Sequence, residues 1–271
     1  MSAKSIGRAV LLFSGGLTWA APAPVVQAAM TVASKDEDGK PGSRAEPSRQ
    51  TFHIQPTRPI AEIRAEALAA SPPEESGEFV RPDLVDLATL DPRIRLEIRY
   101  ATADNFLGVP VYTTPRAFLQ RPAAEALKRA QAKLAEQGFG LLIYDGYRPW
   151  YVTKIFREAT PAKYHDFVAD PAKGSRHNRG CAVDLTLYDL KSGRPVDMPT
   201  GYDDFTERAF SDSPDATPPQ AANRATLRKA LEAEGFLHLP EEWWHYDYKD
   251  WNRHPIQNVE FEKLQAGEKT R

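Results

Sequence analysis

Two histidines, one aspartate and a pair of glutamates stand in this chain at spacings that suit hydrolysis by a metal-activated water. Ser175-Arg176-His177 is followed seven residues after the histidine by Asp184, and Glu241-Glu242-Trp243-Trp244-His245 lies further on. A hydrolytic zinc site needs three protein ligands, one open position for water, and a base that takes the water's proton. His177, Asp184 and His245 supply the ligands if the fold makes them converge. A glutamate of the last cluster supplies the base.

Local pattern says how these side chains could meet. In Cys181-Ala182-Val183-Asp184-Leu185-Thr186-Leu187, strand alternation sends Val183, Leu185 and Leu187 to one face and Ala182, Asp184 and Thr186 to the other. For an isolated aspartate that second face reads as solvated. His177, on the loop feeding the strand and followed by Gly180, gives the aspartate a partner once a glycine turn folds the loop back. His245 stands among Trp243, Trp244, Tyr246 and Tyr248, where a lone histidine is more often a satisfied core residue. A glutamate beside two tryptophans needs a partner or a function if it is buried. Positions 242 and 245 are three apart, so a regular strand would point them to opposite faces. Glu242 must therefore precede the strand or sit at a bulge, and Glu241 is a rival base on spacing alone. Arg148, in Tyr144-Asp145-Gly146-Tyr147-Arg148-Pro149, leaves a buried strand where a guanidinium could hold a developing oxyanion. Its structural alternative is an ion pair with Asp145 or another carboxylate.

Other chemistries lack their signatures. Gly174-Ser175-Arg176 is no nucleophile elbow, Cys181 opens an apolar strand as a small hydrophobe, and no phosphate-binding glycine loop is present. His53, His165, His238 and His254 have no ligand spacing.

The elements that must position the cluster can be read outward from it. Ile94, Leu96 and Ile98 alternate with Arg95, Glu97 and Arg99 as a half-buried strand. Pro122 opens a helix whose Leu127, Ala130 and Leu134 share a face, with Gly138 as its stop. Phe139 to Tyr144 is a buried strand leading into the Asp145-Gly146 turn. Leu227 and Leu231 mark a helix closed by Gly235, and a final strand includes His245 to Tyr248. Strands and helices do not alternate as in a doubly wound sheet, so the fold class is α+β.

Bulk composition sets the setting. The 271 residues carry a net charge of −2, with 27% charged and 41% hydrophobic residues, enough for a sizeable core. No Lys/Arg run offers nucleic acid a binding surface. Residues 1–28 read as a signal peptide: Lys4 and Arg8 precede a mostly apolar Ala9 to Ala21, and Val26-Gln27-Ala28 places small residues at a cleavage site. Export to the periplasm follows, with no membrane attachment after cleavage. Residues 29–81, rich in Pro, Ser and charge, read as a disordered tether with a short helix around Ala61 to Ala69. Residues 82–271 form the single catalytic domain. The one cysteine, Cys181, excludes disulfides within the chain, and no feature fixes an oligomeric state.

Ser175-x-His177-x-x-Gly180-x-Ala182-x-Asp184 with Glu242-Trp243-Trp244-His245-Tyr246 downstream resembles peptidase family M15, and within it the VanX-type D-alanyl-D-alanine dipeptidases. Asp145-Gly146-Tyr147-Arg148-Pro149, Arg99 to Phe106, Asn223-Arg224 and Glu234-Gly235-Phe236 match further motifs in order, from about Asp83 to Asp250. The resemblance implies a D,D-peptidase-like fold with a central antiparallel sheet flanked by helices. It implies one Zn2+ held by His177, Asp184 and His245, and Glu242 rather than Glu241 as general base and acid. Arg148 would stabilise the transition state, Ser175 would line the substrate pocket, and a free D,D-dipeptide would be the substrate. The alternatives are a D,D-carboxypeptidase acting on peptidoglycan stem peptides and a non-catalytic, zinc-stabilised cell-wall binding module.

Overall fold

The computed structural model describes residues 52–265. The expected leader, 1–28, and the expected tether up to residue 51 lie outside the described residues. Along the chain the elements are α1 (Ile60–Ala69), β1 (Leu84–Asp86), β2 (Ile94–Leu96), β3 (Phe118–Gln120), α2 (Arg121–Ala135), β4 (Phe139–Asp145), α3 (Trp150–Ala159), β5 (Ala182–Asp189), α4 (Pro218–Glu232), β6 (Phe236–Leu239), β7 (Glu242–Tyr248) and α5 (Phe261–Gln265). This is the α+β arrangement that the sequence pattern predicts.

Five strands make the central sheet in the order β2-β4-β5-β7-β6, while β1 and β3 pair separately. The pairs β4–β5, β5–β7 and β6–β7 are antiparallel, but the edge strand β2 runs parallel to β4. The expected antiparallel sheet is thus a mixed one at that edge. Helix α2 begins with Pro122 in its first turn, where a missing N–H costs nothing. It buries Leu127, Ala130 and Leu134 completely and packs on β4. Helix α4 opens with a capping box between Thr217 and Gln220 and buries Leu227 and Leu231.

Residues 52–81, expected as part of the tether, are packed on the domain instead. Ile54, Ile63 and Ala67 are buried, and α1 packs against α3. Ile54 N–H donates to the Phe106 carbonyl at 2.9 Å, and Glu75 accepts from Arg179 and from the Ile256 amide, both at 2.5 Å. Residues 52–81 therefore form an arm laid over the domain. A few well-placed apolar residues and one carboxylate suffice for this, and average composition conceals them.

Two irregularities in the sheet matter for function. On β4, Ile143 pairs with Leu185 but Asp145 pairs with Asp184, so Tyr144 is an extra residue. On β7, Glu242 faces Leu239 while Tyr246 faces His238, so four steps of β7 span one step of β6. Bulges of this kind re-aim side chains. Asp184 pairs directly with His245 across β5 and β7. Asp145, Asp184 and His245 thus lie side by side across the three central strands.

Candidate metal centre and catalytic cavity

The residues singled out by type and spacing converge. His177 Nε2 lies 3.2 Å from His245 Nδ1 and 3.4 Å from Asp184 Oδ1, and His245 Nδ1 lies 3.0 Å from Asp184 Oδ1. Each is buried, with 2%, 6% and 2% of the residue exposed for His177, His245 and Asp184 respectively. The face of β5 that reads as solvated in isolation is closed over instead, because His177 from its loop and the Tyr202 hydroxyl both lie against Asp184.

Local structure explains how each ligand is delivered. His177 starts a single 3-10 turn, His177–Arg179, that ends at Gly180 with φ +67°. A side chain there would strain the left-handed backbone, and its Cβ would sit 2.5 Å from Leu84 Cδ2. The turn folds the imidazole back toward β5, as the sequence expects. Asn178, fully buried in the same turn, donates to the Arg148 carbonyl and to Thr153 Oγ1 and accepts from the Ser175 amide, each at 2.8 Å. One amide side chain thereby ties the His177 turn to the Arg148 loop and to α3.

Outer partners fix the direction of each of the three side chains. His177 Nδ1–H donates to the Gly146 carbonyl at 2.8 Å, and His245 Nε2–H donates to Asp247 Oδ1 at 3.0 Å. Tyr202 donates its hydroxyl to Asp184 Oδ2 at 2.8 Å. With those bonds made, the inward atoms are three lone-pair acceptors: His177 Nε2, His245 Nδ1 and Asp184 Oδ1. Three acceptors at this separation repel one another unless a cation sits among them. Metal–ligand bonds of 2.0–2.1 Å at tetrahedral angles place ligand atoms about 3.3 Å apart, close to the triangle observed. The donor set therefore fits a metal ion, and these three residues form a candidate metal site. The carboxylates that suit a cation also favour a proton on His245, which a bound metal would displace. Burial opposes a charge on His245, but Asp247 and Asp184 outweigh it and push its pKa well above the ordinary histidine value. Burial likewise opposes ionisation of Asp184, yet His177 and His245 hold its carboxyl well below the usual range.

Around the triad lies a cavity of about 370 Å³, near the small end of the 300–1,000 Å³ typical of ligand pockets. Glu242 reaches it with 18% of its side chain exposed and places Oε2 3.8 Å from His245 Nδ1. The β7 bulge is what turns Glu242 and His245 to the same side despite their spacing. Burial pushes the Glu242 carboxyl up to about 7, with His245 pulling it down and Asp184 adding to the rise. Glu241 also lines the cavity but is exposed, which leaves Glu242 as the carboxylate against the ligands. Ser175 lines the cavity, and its Oγ accepts from the His177 amide at 3.2 Å.

Arg148 makes the ion pair of its structural alternative and also lines the cavity. Its Nε and Nη2 donate to Asp145 Oδ2 at 3.0 and 2.8 Å, and Nη2 lies 3.8 Å from Asp184 Oδ2. Its guanidinium also lies over the Phe156 ring at 4.8 Å and the Tyr100 ring at 5.3 Å. Asp145 is itself held by the Tyr112 hydroxyl at 2.7 Å and the Gly146 amide at 2.8 Å. The arginine is both paired and aimed into the cavity.

Sequence reasoning missed Asp247, Tyr202, Asn178 and Asp203. Asp203 is buried, lines the cavity and accepts from Tyr100 at 3.1 Å through Oδ1, while its buried Oδ2 has no hydrogen-bond partner. Burial, with Asp184 and Glu242 nearby, pushes its carboxyl well above the usual range. Its backbone φ of +56° was the one available clue of strain, and it is visible only in three dimensions.

Comparison with known proteins places this geometry. A family profile described as D-ala-D-ala dipeptidase, peptidase M15, matches residues 81–263. A D-alanyl-D-alanine dipeptidase of Escherichia coli (strain K12) is 35% identical over 174 residues, covering 64% of this chain and 89% of that relative. The one from Enterococcus faecalis is 36% identical over 175 residues, covering 58% and 87%, and the one from Streptomyces coelicolor is 36% identical over 186 residues, covering 62% and 92%. On a match that spans most of the described domain and nearly the full length of these relatives, the chain belongs to the D-Ala-D-Ala dipeptidase family of M15 peptidases.

Proposed function

We propose that this protein hydrolyses the D-alanyl-D-alanine dipeptide with one Zn2+ held by His177, Asp184 and His245. The observation that carries the reading is the set of three converging acceptors with the Glu242 carboxylate beside them in a small cavity. A zinc ion so held would lower the pKa of a water and polarise a carbonyl. Glu242 takes the proton from the attacking water and returns it to the amine that leaves. Burial raises the affinity of this carboxyl for a proton, which suits a group that both takes and returns one. Arg148 stabilises the charge that develops on the carbonyl oxygen, held in place by Asp145 before substrate arrives. Ser175 lines the pocket. The unpartnered oxygen of Asp203 receives the substrate's ammonium, which satisfies a buried acceptor and favours its ionised form.

The leader in residues 1–28 supports export to the periplasm, where the enzyme would recover D-alanine from wall turnover. Cell fractionation with sequencing of the mature N-terminus tests this; an intact leader on cytoplasmic protein overturns it. The names of the relatives favour a free dipeptide over a stem peptide as substrate. Turnover of D-Ala-D-Ala against a stem pentapeptide separates the two, and exclusive cleavage of the longer peptide would reassign the enzyme as a D,D-carboxypeptidase. Glu242→Gln should abolish turnover of either while leaving bound zinc in place.

A further inference from the structure

We infer that Arg176 reads the free carboxylate at the C-terminus of the substrate and so restricts the enzyme to substrates that end at the cleaved residue. The inference rests on the dipeptidase reading above. A dipeptide is a zwitterion, and a pocket that binds it must meet both charges. Asp203 offers an anion to the ammonium, so a cation is needed at the other end. Two arginines are among the residues that line the cavity, Arg148 and Arg176. Arg148 is committed to Asp145 through two hydrogen bonds on one carboxylate oxygen and is 8% exposed.

Arg176 is in a different state. Its side chain is 44% exposed, and its Nε lies 3.5 Å from Asp247 Oδ2. That is longer than a strong charge-assisted bond of about 2.7–2.9 Å. Its guanidinium lies over the Trp251 ring at 4.8 Å, which orients the plane. Asp247 is shared: its other oxygen, Oδ1, holds His245 Nε2 at 3.0 Å. The arginine is therefore placed by a ring and a half-occupied carboxylate next to the ligand His177. An incoming carboxylate can take a planar, two-pronged pair from it at little cost in ordering. An amide or an extended chain at that position offers no charge to pair.

The test compares D-Ala-D-Ala with D-Ala-D-alaninamide, which is the same dipeptide with its carboxylate made neutral. For the wild-type enzyme, kcat/KM should favour the acid. Arg176→Ala should cut that preference about 10- to 100-fold, the scale of a lost charge-assisted pair, with the change mainly in KM. Arg176→Lys should retain part of it, because the charge remains while the two-pronged geometry is lost. Zinc content measured on each variant separates substrate recognition from disturbance of His245 through Asp247. A purely structural role would lower acid and amide turnover alike; an unchanged preference in Arg176→Ala and Arg176→Gln overturns the inference while leaving the dipeptidase reading intact. A zinc-loaded wild-type enzyme inert toward both substrates overturns that reading itself.

Discussion

Replacing Asn178 by alanine removes the side chain that binds three parts of the site together. Three hydrogen bonds are lost, to the Arg148 carbonyl, to Thr153 Oγ1 and from the Ser175 amide, all at 2.8 Å. At about 1 kcal/mol net for each, the loss comes to roughly 3 kcal/mol. In a domain of this size each kcal/mol moves the melting temperature by roughly 2–4 °C, so a drop of about 6–12 °C is expected. Any partner left buried and unpaired adds to it. Thr153→Val breaks one of the three contacts and should lose only about 1 kcal/mol. Thermal unfolding of both variants, each stripped of metal so that ligand linkage does not mask the difference, makes the comparison. An Asn178→Ala melting point within about 2 °C of wild type would refute the reasoning. So would a Thr153→Val protein as unstable as Asn178→Ala, since the amide would then not be the common tie.

Two further outcomes follow from the surroundings of the site. Asp247→Asn keeps a hydrogen-bond acceptor for His245 but removes its charge, and should weaken zinc binding about 10- to 100-fold in chelator competition; unchanged affinity would mean that Asp247 only packs. Burial pushes the Cys181 thiol up to about 12, so the folded protein should resist alkylation at pH 8 and react fully in denaturant, whereas rapid labelling of the native protein would contradict its buried place just before β5.

What could be read in the sequence, and what could not, divides along a physical line. Local pattern located the strand carrying Asp184, the helices of Leu127 and Leu231, and the need for the chain to bend between Glu242 and His245. Those features are written in neighbours a few residues apart. The row of Asp145, Asp184 and His245 depends on register between strands far apart in sequence, set by an extra residue at Tyr144 and a bulge in β7. Asp247 and Tyr202 hold His245 and Asp184 in place, yet an aspartate in an aromatic strand and a tyrosine in a loop carry no mark of that work. Ile63 and Glu75 were hidden in a segment whose average composition is that of a tether. The parallel edge strand β2 was equally invisible, because three residues of alternation do not state the direction of their partner.

Metal content and D-Ala-D-Ala turnover, followed together on one preparation through chelation and titration with zinc, test most directly whether the His177, Asp184 and His245 triad is a catalytic metal site. One zinc per chain should restore full turnover to the stripped protein, and His245→Ala should neither retain the metal nor regain activity. Turnover that persists in the metal-free protein, or zinc bound with wild-type affinity by His245→Ala, would contradict it.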